Sequence, residues 1–376
     1  MDSVLRPFID RVRAAAAAAV PLAIRGGGTK GFLFDAPPAG EPLDTAPLAG
    51  VLGYEPSELV ATVRAGTPLA EVEALLAEAG QCLPFEPPHF GPGATVGGMV
   101  AAGLAGPARA SAGGVRDFVL GLGLVNGRGE HLLFGGEVMK NVAGYDVSRL
   151  MAGAFGTLGL ITQVSLKVLP QAPAEATLRF ACCGQDEALR LLAGWGARPL
   201  PLSASRWEEE EAGGGRGVLR LRLRGAVAAV GAATHALCAA HGGTVEAPQE
   251  AAQGWHAVRE QTLPWFARRA DAAIWRLSVP QTAAALAVPA AAGAPLVEWH
   301  GGQRWYAVAG GDPDAGRALR AAAARTGGHA TLWRVAPGGA RGVARRDAVA
   351  APLGRIQEAL RREFDPHGVF NPGLAI

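Results

Sequence analysis

Two glycine clusters constrain this chain more than any other feature. The first, IRGGGTKG at residues 24–31, follows a short apolar stretch and carries Gly26, Gly27 and Gly28 in a row. The second, GPGATVGGMVAAG at residues 91–103, is built almost wholly from small residues. Adjacent glycines let successive backbone N–H groups converge on an anion, forming a nest suited to a pyrophosphate. Small residues in such density let the backbone approach a flat ligand closely, and Thr95 adds a hydroxyl. One such cluster reads equally well as a turn, and the other as a tightly packed helix start. Neither the Walker pattern nor G-x-G-x-x-G fits the first. Their placement on either side of a strand and a helix argues for a paired binding surface.

The apolar pattern around these clusters alternates between strand and helix. Residues 21–25 and 58–64 read as strands, and residues 68–79 as a helix with Leu69, Val72, Leu75 and Leu76 at helical spacing and Gly80 as its stop. Short strands follow at 119–125, 130–134 and 159–168, the first two joined as a hairpin through Asn126-Gly127. All eight tryptophans lie from Trp195 onward, and with Pro170 and Pro173 they mark a boundary near residue 172. Beyond it, residues 218–224 alternate strictly, with Leu219, Leu221 and Leu223 on one face and Arg220, Arg222 and Arg224 on the other. That arginine face is expected to meet solvent, with a binding surface as the alternative. Helices at 227–241 and 314–326 and strands at 243–246, within 274–308 and at 329–334 predict a mostly antiparallel sheet with helices on one face.

Length permits two domains, since single cores usually stop growing below this size. The formal net charge of +2 gives no electrostatic footprint for a phosphate backbone, and nucleic acid is not expected as a partner. Lys30, Lys140 and Lys167 are the only lysines among 35 basic residues. Cys82, Cys182, Cys183 and Cys238 show no C-x-x-C spacing, and the eight histidines are not closely paired, so no metal site is expected. The apolar run at residues 14–24 is too short to span a bilayer and reads as an alanine helix entering a strand. No later stretch approaches 20 uninterrupted apolar residues. A cytoplasmic chain is expected, reaching a membrane only through partners.

The order RGGGTKG, GATVGGMVAAGLAGP, SAGGVRDFVLG, FGGEVMKNVAGYD and GTLGLITQVSLKVLP resembles the FAD-binding domain of the vanillyl-alcohol oxidase/p-cresol methylhydroxylase (PCMH) family. The ending FDPHGVFNPG is similar to the closing motif of that family's D-lactate- and glycolate-oxidising branch. The resemblance implies an α+β chain: a PCMH-type FAD-binding domain at 1–171 in two subdomains (about 1–80 and 81–171), an antiparallel-sheet α+β cap at 172–340, and a C-terminal helix and tail at 341–376 returning to the flavin domain. It also implies FAD held non-covalently, because the first glycine loop lacks the His, Cys or Tyr used for covalent attachment. Arg25, Gly26, Gly27, Gly28, Thr29 and Lys30 would hold the pyrophosphate, and Thr95, Gly97, Gly98, Ala101 and Ala102 the phosphates and ribityl chain. Ser111, Gly114, Arg116 and Asp117 would lie near the ring, and Gly156, Gly159 and Ile161 on the adenosine side. Lys140 to Asp146 matches a recurrent motif of the family, with a structural role expected for Asn141 and Asp146.

Three functions follow from this reading. The first is the FAD-binding subunit of a multi-subunit glycolate (2-hydroxy acid) oxidase or dehydrogenase, acting with a homologous catalytic flavoprotein and an iron–sulfur subunit. The second is a self-sufficient FAD-dependent 2-hydroxy-acid dehydrogenase, with Arg116, Arg304 or Arg334 holding the carboxylate. The third is a scaffold subunit that keeps the fold. Metal-binding histidines of the branch's catalytic members have no counterpart in this sequence, and no catalytic residue is assigned. The tryptophans fit either a subunit interface or a core.

Overall fold

A computed structural model describes residues 3–136, 145–210, 216–338 and 343–374, the side chains of Cys182 and Cys183 excepted. The chain divides into two compact units. One comprises Met1–Ala105, Gly114–Gln171 and Val349–Ile376; the other comprises Gly106–Gly113 and Ala172–Ala348.

In the first unit the helix Arg6–Ala18 buries Phe8, Ile9, Val12 and Ala15, a stripe at helical spacing, and stops where Ala19 turns left-handed. The chain then enters the strand Leu22–Arg25, which pairs in parallel with Glu41–Asp44. A five-stranded antiparallel sheet follows in the order Val51–Glu55, Val60–Arg64, Leu160–Lys167, Val119–Val125, His131–Gly135. The helices Leu69–Glu78 and Val96–Ala102 share one apolar core with this sheet through Leu69, Val72, Leu76, Met99 and Val100. The expected hairpin forms, with a longer loop than a two-residue turn. Val125 pairs with His131, and Asn126 Oδ1 accepts from the amides of Arg128 and Glu130, both at 3.0 Å.

The second unit holds an eight-stranded, wholly antiparallel sheet. Its order is Thr244–Val245, Ala174–Cys183, Gly217–Gly225, Leu202–Glu209, Leu296–Glu298, Gln303–Ala309, Ala272–Ser278, His329–Arg334. Leu219, Leu221 and Leu223 pack under the helices Gln185–Gly196 and Val227–His241, as their alternation predicts. The arginine face departs from expectation. The helix Pro248–Arg259 covers it, with the Trp255 indole donating to Thr177 at 2.8 Å and lying 5.0 Å from the Arg222 guanidinium. Arg222 is therefore buried, not solvated, and this part of the sheet carries helices on both faces. Seven of the eight tryptophans are at most 5% exposed, which assigns them to the cores of this unit.

Candidate functional site

A cavity of about 630 Å³ opens in the first unit, within the range of cofactor pockets. Its walls come from the loop after the strand Leu22–Arg25, the start of the helix Val96–Ala102, the segment around Gly156 and the chain's tail at Asn371 and Leu374. Segments far apart in sequence meet here because two backbones touch. A Cβ on Gly27 would collide with the Gly93 carbonyl, so only glycine lets the first loop lie on the second. Gly97 is similarly constrained: a Cβ there would stand 2.7 Å from that of Ala65, whose carbonyl accepts the Gly97 amide at 2.7 Å.

The two glycine clusters prove chemically unequal. Thr95 caps its helix, its hydroxyl accepting from the Gly98 amide at 3.2 Å, while the amides of Val96 and Gly97 donate to Thr67 and Ala65. That first helical turn has no donors left over. In the loop Gly27, Gly28 and Thr29, by contrast, no backbone amide reaches a protein acceptor among the described residues. Three successive unused donors facing a cavity are the nest that an anion would complete. Lys30 stands at its end, with Nζ 3.2 Å from both Thr29 Oγ1 and the His89 carbonyl and 5.8 Å from the Phe90 ring centroid. His89 in turn meets Glu73 at 3.0 Å.

Of the residues expected from sequence, Arg25, Gly27, Gly28, Thr29, Lys30, Thr95, Gly97, Gly98, Ala101, Ala102, Gly156, Gly159 and Ile161 line this one cavity. Gly26 stands behind the wall against Thr95. Ser111, Gly114, Arg116 and Asp117 are not part of the lining. Ser111 belongs to the second unit, where its hydroxyl meets His300 Nε2 at 3.0 Å; the Asp117 carboxylate accepts the Gly114 amide at 2.8 Å. Residues 140–144 lie outside the described residues, while Asp146 caps the short helix Val147–Leu150. Sequence reasoning missed Phe34, Phe155 and Asn371. Asn371 accepts the Ile24 amide at 2.7 Å and donates to the Phe155 carbonyl at 2.7 Å, tying the strand before the nest to the loop that holds Gly156. Phe34 and Phe155 stack edge to face, with centroids 5.0 Å apart. The tail motif FDPHGVFNPG was the available signal, but nothing local in it says which backbone Asn371 meets.

The second unit contains two buried titratable groups. Glu298 is 4% exposed, and burial lifts its carboxyl to about 7. Gln303 donates to its Oε2 at 2.6 Å, whereas its Oε1, Arg206 Nε and Trp305 Nε1 complete no hydrogen bond among the described residues. Trp305 and Arg206 still temper the shift by proximity. His300 bridges Ser111 and Ser205, each at 3.0 Å, and burial lowers it to about 4, leaving a neutral imidazole. Arg304, one candidate for holding a carboxylate, is fully buried and donates to the carbonyls of Gly301, Ala283 and Ala284, so it braces a loop instead. Among the described residues no group of three His, Cys, Asp or Glu is placed to hold a metal, and no helix is long and apolar enough to cross a membrane.

An anion nest beside an apolar slot is what a flavin dinucleotide requires, and residues 8–135 match the FAD binding domain family. The chain belongs to the FAD-binding oxidoreductases, in the family of the glycolate oxidase subunit GlcE. It is 43% identical to glycolate oxidase subunit GlcE of Escherichia coli (strain K12) over 366 residues, 97% of this chain and 95% of that protein. It is 32% identical to glycolate oxidase subunit GlcD of Bacillus subtilis (strain 168) over 128 residues, 34% of this chain and 27% of that one. Among solved structures, an alkyldihydroxyacetonephosphate synthase superposes with a TM-score of 0.69 at 15% identity, covering 97% of this chain and 74% of the other, a likeness of fold. The chain is thus an α+β, FAD-binding oxidoreductase.

Proposed function

We propose that this chain is the FAD-binding subunit of a multi-subunit oxidase or dehydrogenase of glycolate or a similar 2-hydroxy acid, working beside a homologous catalytic flavoprotein and an iron–sulfur subunit. The observation that carries the reading is identity at 43% over nearly the full length of a protein named as a glycolate oxidase subunit. The partial likeness to GlcD supports a homologous partner, since that protein is named as another subunit of glycolate oxidase.

The residues fit the cofactor. The amides of Gly27, Gly28 and Thr29, with Lys30 and Arg25 adding positive charge, would hold the diphosphate. Ile24, Phe34, Phe155, Leu160 and Ile161 would exclude water from its apolar parts. Among the described residues no His, Cys or Tyr lines the cavity, which favours non-covalent attachment. When bound, the flavin supplies two-electron oxidation chemistry; this chain holds and orients it.

Co-expression with a GlcD-like flavoprotein and an iron–sulfur subunit, followed by purification through a tag on this chain, tests the reading. A three-chain assembly is expected, with acid denaturation releasing FAD into solution. Colourless protein without affinity for FAD, or a yellow chain that oxidises glycolate with an artificial acceptor and captures neither partner, would overturn it.

A further inference from the structure

We infer that Asp365 is a positioning residue for FAD: its carboxylate folds the end of the chain into a strap along one wall of the cavity, and the hold of that strap sets how long the cofactor stays bound. The inference rests on the cavity being the FAD site and needs neither the partners nor the substrate of the proposed function.

The motif FDPHGVFNPG supplies both ends of the strap. At one end Asp365, 4% exposed, turns its carboxylate onto the backbone that follows it. Its Oδ1 accepts from the Val369 amide at 3.0 Å and its Oδ2 from the Phe370 amide at 2.8 Å. With that turn closed, Val369 and Phe370 are buried in the core of the first unit, and Phe370 runs parallel beside Leu22. Leu22 donates to the Val369 carbonyl at 2.6 Å, and the Asn371 amide donates to the Leu22 carbonyl at 2.9 Å. At the other end Asn371 and Leu374 line the cavity. The Asn371 side chain bonds Ile24 and Phe155, and a Cβ on Gly156 would stand 2.8 Å from its Nδ2, so the strap lies directly on the loop that carries Gly156.

The helix before the strap is a weak anchor for it. Ala351–Phe364 buries no residue fully, and Leu360 and Phe364 rest on the core partly covered. Arg361 Nη2 reaches across to the Leu374 carbonyl at 3.0 Å. The hairpin loop braces the turn from outside: Gly127 donates to the Phe364 carbonyl at 2.8 Å, and a Cβ on Gly127 would collide with Asp365. Without the carboxylate, the buried amides of Val369 and Phe370 lose their acceptors, a penalty that local opening of the tail relieves by giving them to water. Opening takes Asn371 and Leu374 out of the cavity wall and leaves the nest at residues 27–29 and the helix Val96–Ala102 in place. The effect therefore falls on how fast FAD leaves more than on how fast it arrives.

The test dilutes the FAD-loaded full chain and follows release as flavin fluorescence recovers. Association is followed by quenching, and the melting temperature of the cofactor-free chain is recorded. Asp365→Ala is expected to speed release by about tenfold or more while slowing association by less than about threefold. Asp365→Asn, which keeps one accepting oxygen, should fall between it and the parent. Gly127→Ala, which presses on Asp365 from outside the tail, should also speed release, and serves if Asp365→Ala does not fold. Asn371→Ala should speed release too, and adding Asp365→Ala to it should change the rate by less than about twofold, because both act through one strap. Ile9→Ala, a core truncation in the same unit, should lower the melting temperature and leave the release rate close to that of the parent. The inference is overturned if Asp365→Ala and Gly127→Ala release FAD as the parent does, if the effects of Asp365→Ala and Asn371→Ala multiply in full, or if Ile9→Ala speeds release as much as Asp365→Ala. A parent that binds no FAD would sink the proposed function and this inference together; a parent whose bound FAD leaves at a rate indifferent to these variants sinks this inference alone.

Discussion

Glu298 and His300, two positions apart, are displaced in opposite directions by the same physical cause, burial. The carboxyl is raised from 4.5 to about 7, so its contribution to stability is complete below 4.5 and is lost as pH rises through 7. The imidazole is lowered from 6.5 to about 4, so its contribution is complete above 6.5 and is lost as pH falls through 4. Each slope is about 1.4 kcal/mol per pH unit, and between 4.5 and 6.5 the two oppose one another and nearly cancel. Thermal melts across that window should therefore show Glu298→Gln gaining stability with rising pH relative to the parent, and His300→Gln losing it. Parallel pH profiles for all three proteins would refute this. Gly27 makes a sharper prediction. Alanine there strikes the Gly93 carbonyl, and FAD affinity measured by fluorescence quenching should fall by at least tenfold. The need for glycine at 27 was legible in sequence because it is written in the residue itself. The roles of Ser111 and Arg304 were not, since each is decided by a partner far away along the chain: His300 for one, the carbonyls of Ala283 and Ala284 for the other.

At the level of elements, hydrophobic period located most strands and helices, because one buried face is enough to set register and phase. It could not say what covers the opposite face. Arg220, Arg222 and Arg224 alternate as a solvated edge would, yet Trp255 from a later helix lies over Arg222. Arg220 pairs with Glu246 at 2.6 Å and with Glu208 at 3.3 Å. Only the tertiary position of Pro248–Arg259 decides between solvent and burial. The helix Val96–Ala102 shows the reverse case, a local signal with a local outcome: Thr95 is its cap. Thr95→Ala should lower the chain's unfolding free energy by about 1 kcal/mol in denaturant titrations. Thr95→Ser, which keeps the accepting oxygen, should restore most of that loss.

For the whole molecule, the cavity and its lining lie within one compact unit, and the tryptophan-rich sheet within the other. A ligand that binds only folded protein stabilises what it touches, by roughly 2.7 kcal/mol at a hundredfold excess over its Kd. Hydrogen exchange with and without FAD should accordingly show slower exchange at Leu22–Arg25, Val96–Ala102 and Leu160–Lys167, and little change in Ala272–Ser278. Equal slowing in both units would contradict this assignment. The glycine and proline punctuation points to a boundary near residue 172. It gave no sign that Gly106–Gly113 groups with the later unit, because that stretch is too short to carry a pattern of its own.

The tie made by Asn371 has a bearing on how the protein matures. A wall of the pocket that begins forming at residue 23 is supplied by residues 371 and 374, so a ribosome must translate through both before the pocket can close. Cofactor capture is thereby deferred until residue 374 has emerged, and nascent chains arrested short of that residue would lack one wall of the nucleotide site.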